Sequence, residues 1–319
     1  MTALAAVTAF APGGVGNVGP GLDILGLAVA GLGDEVRAAW TSRPGITMLN
    51  PGHADLPADA HRHTAGLAAH AVVSAAGADL GRERGIGLSV RKGLPLCGGQ
   101  GGSAASAVAG AVAVNALLGA PLDRHALLSA CLVAEETVSG RHLDNIAPSL
   151  LGGIVLIRSM HPMDVVQLPV PDELVVVLVR PDQKMRTSEG RAVLPTAIDL
   201  GVALHQAAQV GALIAALASG DYALLGRAID DRIAEPARAG LLPGFREAKA
   251  AALAAGALGS SISGSGPTTF ALARGEQAAK RIAEAMVAAY GSRGTRSEAR
   301  IGRVDREGAR VVESTGETK

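Results

Sequence analysis

Three glycine-rich stretches hold the residue types from which a phosphate site is built. The middle one, Pro95-Leu-Cys-Gly-Gly-Gln-Gly-Gly-Ser-Ala-Ala-Ser106, is the richest in chemistry. Successive glycines can turn several backbone N–H groups into one space, and a helix that follows points its positive end into the same space. A di- or triphosphate suits such a cradle. Ser103, at the start of the following helical pattern, could cap that helix or lend its hydroxyl to Mg²⁺. No Gly-Lys-Ser/Thr follows the glycines, so the stretch is not a P-loop.

The first stretch, Ala11-Pro-Gly-Gly-Val-Gly-Asn-Val-Gly-Pro-Gly-Leu-Asp23, contains a literal GxGxxG at Gly14, Gly16 and Gly19. A dinucleotide fingerprint needs a helix opening at those glycines, whereas Pro20-Gly21 continues the turn. Two readings of the stretch stay open, an ordinary tight turn or a ligand loop presenting Asn17 and Asp23. The third stretch, Ser263-Gly264-Ser265-Gly266-Pro267-Thr268, could surround an anion or approach another loop closely.

These stretches need elements to hold them. Residues 3–11 are apolar apart from Thr8 and predict a strand that breaks at Pro12-Gly13-Gly14; a second apolar segment spans Asp23–Leu32. Gly85–Val90 reads as a strand, Gly98–Gly102 as a glycine loop and Ser103–Leu118 as a helix, followed by a second helix over 122–138. Strands are predicted at Ile154–Ile157, Leu174–Val179 and Thr268–Ala273. Helices are predicted at 198–218, 221–234, 244–255 and 275–290, with a frayed polar tail from Glu313. A boundary near residue 160 divides a first domain (1–160) from a second (161–319), within an α+β chain.

With 48% hydrophobic residues over 319 positions the chain can bury a large core. Lys plus Arg balances Asp plus Glu at 29 each, so no overall field draws it to nucleic acid or an anionic membrane, and an anionic ligand must be held locally. The two cysteines, Cys97 and Cys131, form no metal-ligand pattern and fit a reduced, cytoplasmic setting. No basic residue precedes Arg37, so the charged start of a signal peptide is missing. Leu94–Leu122 lacks charge, but its Gly, Ala and Ser content makes it a poor membrane span.

In order and spacing the three stretches resemble the motifs of the GHMP kinases. Three intervening segments look like those of the homoserine kinases within that group: Ser139-Gly-Arg-His-Leu-Asp-Asn-Ile-Ala-Pro-Ser-Leu-Leu-Gly-Gly153, Arg186-Thr-Ser-Glu-Gly-Arg-Ala-Val-Leu-Pro195 and Ile233-Ala-Glu-Pro-Ala-Arg-Ala-Gly-Leu-Leu-Pro-Gly244. The resemblance runs from about residue 8 to 300. It implies a two-domain GHMP kinase fold, with an N-terminal domain like ribosomal protein S5 domain 2, containing a left-handed βαβ unit, and a ferredoxin-like C-terminal domain. It also implies transfer of the ATP γ-phosphoryl group to the side-chain hydroxyl of L-homoserine, often by a homodimer.

By that resemblance Pro95, Leu96, Cys97, Gly98, Gly99, Gln100, Gly101, Gly102, Ser103, Ala104 and Ala105 wrap the ATP phosphates, while Ser103 and Glu135 hold Mg²⁺. The family's Glu-x-x-x-Ser-Gly pattern selects Glu135 over its neighbour Glu136. Asp23 meets the substrate ammonium, Arg191 and Arg238 grip its carboxylate, and Thr187, Asn17, His142 and Asn145 line the hydroxyl. Asn17, Asn145 and Ser103 stand nearest the chemistry. No dedicated base is implied, since positioning and charge neutralisation carry phosphoryl transfer. The second motif departs from the usual Gly-Leu-Gly-Ser-Ser-Ala, with Gln100 for the Leu and Gly102 for the first Ser. Two alternatives remain at this stage: a GHMP kinase for another hydroxyl, or a catalytically silent ATP or amino-acid sensor.

Overall fold

The computed structural model describes residues 4–81, 84–138 and 140–316. Its first half runs β1 (Leu4–Gly16), β2 (Leu25–Thr41), β3 (Gly45–Asn50), α1 (Thr64–Ala75), β4 (Gly85–Arg91), α2 (Gly102–Leu117), α3 (Arg124–Val138), α4 (Ile146–Leu151), β5 (Ile154–Met160) and β6 (Met163–Leu168). The second half runs β7 (Leu174–Pro181), α5 (Thr187–Ala192), α6 (Leu200–Ser219), α7 (Tyr222–Ala228), α8 (Ala234–Arg238), α9 (Phe245–Ala254), β8 (Gly259–Ile262), β9 (Thr269–Arg274), α10 (Glu276–Ser292), β10 (Ser297–Arg303) and β11 (Arg310–Gly316).

Two sheets result. The first has the order β11-β1-β2-β4-β3, with β5 on β2 and β6 on β5; the second has the order β10-β7-β9-β8. Within the first, β3 and β4 are parallel and are joined through α1. The last strand, β11, returns to pair antiparallel with β1, Thr8 opposite Glu313. The expectation of a frayed tail is thereby corrected as far as Gly316: its polar side chains stand on an edge strand whose backbone is satisfied by β1.

Three apolar layers hold the sheets. Helices α1 to α4 pack on one face of the first sheet through Ala68, Val72, Ala107, Ala111, Leu128 and Ile146. Helix α2 is small and apolar on every side, as befits a helix enclosed by sheet and other helices. In β7 the residues alternate: Leu174, Val176 and Leu178 meet Leu25, Leu27 and Phe270 in a middle layer, while Val175, Val177 and Val179 meet α9 and α10 through Ala248, Ile282 and Met286. A strand covered on both faces reads as a continuous apolar run, which is why Leu174–Val179 shows no alternation in sequence.

Other expectations shift locally. The strand predicted to stop at Pro12 continues to Gly16, and the Pro-Gly-Gly break becomes a register shift against β2 between Pro12 and Gly14. The helix predicted over 221–234 is split, because Asp231 accepts from the backbone N–H groups of Ile233, Ala234 and Glu235 and so starts α8 afresh. Gly259–Ile262 forms β8, a short strand that leads into the third glycine stretch and was not among the predicted strands. Among the described residues only α6 is long and apolar enough to cross a membrane by length and composition alone, and its Leu213, Ala216 and Leu217 pack in the middle layer.

Candidate active site

The three glycine stretches converge. Gly14 donates its N–H to Gln100 O at 3.1 Å, and Gly264 donates to Gly16 O at 3.1 Å. Ser263 Oγ donates to Gly99 O at 2.6 Å, and Thr268 Oγ1 donates to Gly98 O at 2.6 Å. Of the two readings left open for the third stretch, close approach to another loop is the one realised: its hydroxyls bind the carbonyls of the middle stretch. Gly99 shows why a side chain is not tolerated there. Its φ is +72°, and a Cβ would lie 2.6 Å from Gly266 O and 2.7 Å from Ser263 O.

The middle stretch ends in α2, whose N-cap is Gly101 in the left-handed region with no side-chain cap. Ser103 is therefore not the N-cap; its Oγ faces Glu135 Oε2 across 3.5 Å. Glu135 is 6% exposed. Burial, with the Glu135 charge beside it, pushes the Cys131 thiol up to about 12 and keeps it protonated. Ser139, the serine of the pattern that selects Glu135, lies outside the described residues.

Beneath the loop is a feature that sequence reasoning missed. Lys92 Nζ forms an ion pair with Asp34, and donates to Gly102 O and Ser106 Oγ, both at 3.0 Å. Asp34 is fully buried and also accepts from Ser106 Oγ and from the N–H groups of Gly93 and Leu94. Every donor of the ammonium and both carboxylate oxygens are occupied, as a buried ion pair requires. In sequence the only sign was a Lys next to the loop and an Asp inside an apolar strand.

A second cluster, of polar and charged side chains, is assembled from distant segments. After β1 the chain makes a tight loop in which Asn17, Val18 and Asp23 have φ of +71°, +41° and +63°. Asn tolerates this region; a β-branched Val does not, and its strain is held by the surrounding packing. Asn17 Oδ1 closes the loop by accepting from Asp23 N at 3.1 Å, and Asn17 Nδ2 donates to Gly264 O at 3.0 Å. Arg191, on α5, grips Asp23 through two parallel bonds of 2.7 and 2.8 Å.

His142 completes this pair. Arg191 Nη2 approaches His142 Nε2 at 2.9 Å, and His142 Nδ1 lies 3.5 Å from Asp23 Oδ1. A guanidinium can only donate, so Nε2 accepts and the proton sits on Nδ1, facing Asp23. Burial lowers the imidazole pKa, consistent with that neutral tautomer. For Asp23 burial acts the other way, but the Arg191 hydrogen bonds and the neighbouring positive charges outweigh it and hold the carboxyl below its usual range.

Arg238, 2% exposed, donates to Gly190 O at 3.0 Å and to Gly264 O at 2.9 Å, tying α8 to α5 and to the third glycine stretch. Its position depends on Asp231, which caps α8, another residue the sequence did not single out. Asn145 bridges the two halves: a Cβ on Gly101 would lie 3.1 Å from Asn145 Oδ1. Asn17, Asp23, His142, Asn145, Arg191 and Arg238 thus form one cluster beside the glycine loop. Thr187 stands at its margin, exposed in the first turn of α5 and one turn before Arg191.

Comparison with known proteins finds relatives along nearly the whole chain. The GHMP kinases N terminal domain matches residues 64–153, and the GHMP kinases C terminal domain matches residues 213–292. A homoserine kinase of Chlorobium phaeovibrioides is 41% identical over 317 residues, spanning 96% of this chain and 99% of the relative. The chain belongs to the homoserine kinase family of the GHMP kinases. A homoserine kinase of Arabidopsis thaliana is 44% identical over 317 residues, covering 97% of this chain and 85% of that protein. The crystal structure of homoserine kinase from Cytophaga hutchinsonii superposes with a TM-score of 0.92 at 40% identity, covering 97% of this chain and 98% of that one. The two-domain GHMP kinase fold accounts for both sheets.

Proposed function

We propose that this chain transfers the γ-phosphoryl group of ATP to the side-chain hydroxyl of L-homoserine. The observation that carries the proposal is the placement of Asn145, whose Oδ1 lies near Gly101 at the start of α2 and whose Nδ2 is linked through Asp144 and Asn17 to the Asp23–Arg191 pair. An amino acid is a zwitterion. Asp23 suits its ammonium, while Arg191 and Arg238 suit its carboxylate through planar guanidinium forks. The Arg191 side chain is about one-third exposed, so it is open to a ligand from solvent.

Pro95–Ala105 wraps the ATP phosphates, with the N-terminus of α2 directed at their negative charge. Among the described residues there is no cluster of three or more His, Cys, Asp or Glu able to hold a metal alone. Ser103 and Glu135 supply two oxygens, which fits a Mg²⁺ completed by phosphate oxygens and water. When bound, Mg²⁺ neutralises charge on the transferred group. Asn17, His142, Asn145 and Thr187 line the acceptor hydroxyl, and Asn145 Oδ1 accepts its hydrogen bond. Asp23 is ionised but already held by cations, so it orients rather than abstracts, and the hydroxyl proton leaves toward the phosphate. A cytoplasmic homodimer without a nucleic-acid or membrane partner completes the reading.

The test is ADP release with Mg-ATP and, in turn, L-homoserine, L-threonine, mevalonate or no acceptor, run beside Arg238→Ala. Turnover with homoserine that collapses in the variant is expected. Silence with every acceptor, despite measurable ATP binding, would sink the kinase reading in favour of a sensor.

A further inference from the structure

Between the two asparagines of the cluster lies a carboxylate to which no role has been given. Asp144 is 3% exposed. Its Oδ2 accepts from the backbone N–H of Asn17 at 3.2 Å and from Asn145 Nδ2 at 3.3 Å. The chain is cut to fit around it. A Cβ on Gly16 would lie 2.5 Å from Asp144 Oδ2 and 2.7 Å from Asn145 Nδ2, and a Cβ on Gly26 would lie 1.8 Å from Asp144 O. Asp144 is thus fixed by β1 and β2 from behind, and holds two candidate site residues in front.

The chemistry of the contact matters more than its existence. An ionised carboxylate can only accept, so Asn145 must turn its NH₂ toward Asp144 and its carbonyl toward Gly101 and the glycine loop. We propose that Asp144 is a positioning residue of the phosphoryl-transfer site, whose negative charge fixes the Asn145 amide with its oxygen toward the acceptor hydroxyl. This rests on the assignment of Asn145 to that hydroxyl. A protonated Asp144 would carry an O–H, which the Asn145 oxygen could accept, and the amide would be free to turn over.

That switch falls in a measurable range. Burial, reinforced by the nearby Asp23 charge, pushes the Asp144 carboxyl up to about 7 against the opposing pull of Arg191 and the Asn17 N–H. The other titratable groups facing this space are His142, whose pKa is lowered by burial, and Arg238, a cation throughout. An acid limb near pH 7 in kcat/KM, which reports the free enzyme, therefore belongs to Asp144 rather than to His142.

The experiment is the pH profile of kcat/KM for L-homoserine, with saturating Mg-ATP, in the wild type, Asp144→Asn and Asn145→Ala. The expected wild-type profile falls as pH drops through about 7. In Asp144→Asn, kcat/KM at pH 8 should drop about 10- to 100-fold, as misplacement of a reacting group does, with KM for ATP little changed and the limb gone. Asn145→Ala, which keeps Asp144, should lose the same limb, because the charge acts through that amide; this arm holds even if Asp144→Asn folds poorly. A limb near 7 that persists in Asn145→Ala overturns the proposal, as does an Asp144→Asn enzyme with the wild-type profile. If Asn145→Ala keeps wild-type kcat at pH 8, the assignment of Asn145 itself fails.

Discussion

The glycine loop and the acceptor cluster are both charged sites, yet they hold charge in opposite ways. Under the loop, Asp34 is fully enclosed and Lys92 nearly so, both are saturated with partners, and they serve the backbone of residues 93, 94 and 102. In the cluster proposed for the acceptor, Asp23 and Arg191 are each about one-third exposed and joined side chain to side chain. The first pair is a fastening and the second is a pair of hands. Charge that shapes a loop has to be dry and complete, whereas charge with the role proposed for Asp23 and Arg191, handling a zwitterion, has to be reachable and exchangeable.

If that distinction is right, breaking the buried pair should appear first in stability. Lys92→Met leaves Asp34 buried without its counter-ion and should cost about 3–5 kcal/mol, measured by chemical denaturation. Restoring neutrality with Asp34→Asn in the same chain should recover part of that loss. A Lys92→Met protein of wild-type stability with only its activity gone would place Lys92 among the ligand contacts instead.

A second test pits stability against function at Asp144. Its carboxyl is displaced upward from 3.8 to about 7, so the folded state binds the proton more tightly than the unfolded chain. The sign follows: the contribution is most favourable below about pH 4 and is lost as pH rises through 7, by on the order of 4 kcal/mol. Asp144→Asn should therefore raise the melting temperature at pH 8 and leave it nearly unchanged at pH 4. Equal shifts at both values would refute the linkage.

In the acceptor cluster the expected effects are kinetic. Arg191→Ala removes a bidentate charge-assisted grip and should lower kcat/KM for homoserine by about 100-fold or more, mostly through KM, with the KM for ATP unmoved. Ser103→Ala should do the converse more mildly, losing about tenfold in turnover with the homoserine KM retained. Were both variants to raise both KM values alike, the two regions would have to be treated as one site.

How far these regions could be read in advance differs for the same physical reason. The glycine loop and α2 are local in sequence, and Gly98–Gly102 followed by Ala-rich spacing announces them. Asn17 and Asp23 stand out in their glycine-rich stretch, His142, Asn145, Arg191 and Arg238 are legible only through resemblance of motifs, and the structure gathers all six. What stayed hidden depends on contacts between remote positions. Asp34 and Lys92 are 58 residues apart, and Asn17 and Asp144 are 127 apart. A buried Asp looks like any other Asp until its partners are known. The Pro12-Gly13-Gly14 sequence is a turn signal by composition, but it serves as a bulge because the glycine loop must approach there, Gly14 N–H meeting Gln100 O. The polar tail reads as frayed because an edge strand needs only backbone pairing, which side chains do not report.

The smallest effect is expected at Gln100, and it tests whether the loop is fastened by its backbone or by its side chains. Gln100 is 3% exposed. Its Nε2 donates to Thr268 Oγ1 at 3.2 Å. Since Thr268 spends its own proton on Gly98 O, the amide is forced into this orientation and Oε1 is left buried without a partner. Gln100→Leu removes one long hydrogen bond and one unsatisfied acceptor together. The lost bond costs about 1 kcal/mol, and the relieved acceptor returns a similar amount. Thr268 keeps its bond to Gly98 O, and Gly14 keeps its bond to the backbone oxygen of residue 100. Stability and the KM for ATP should both stay close to wild type. A marked rise in that KM at unchanged stability would show that the side-chain tie to Thr268, rather than the backbone contacts alone, sets the loop for the nucleotide.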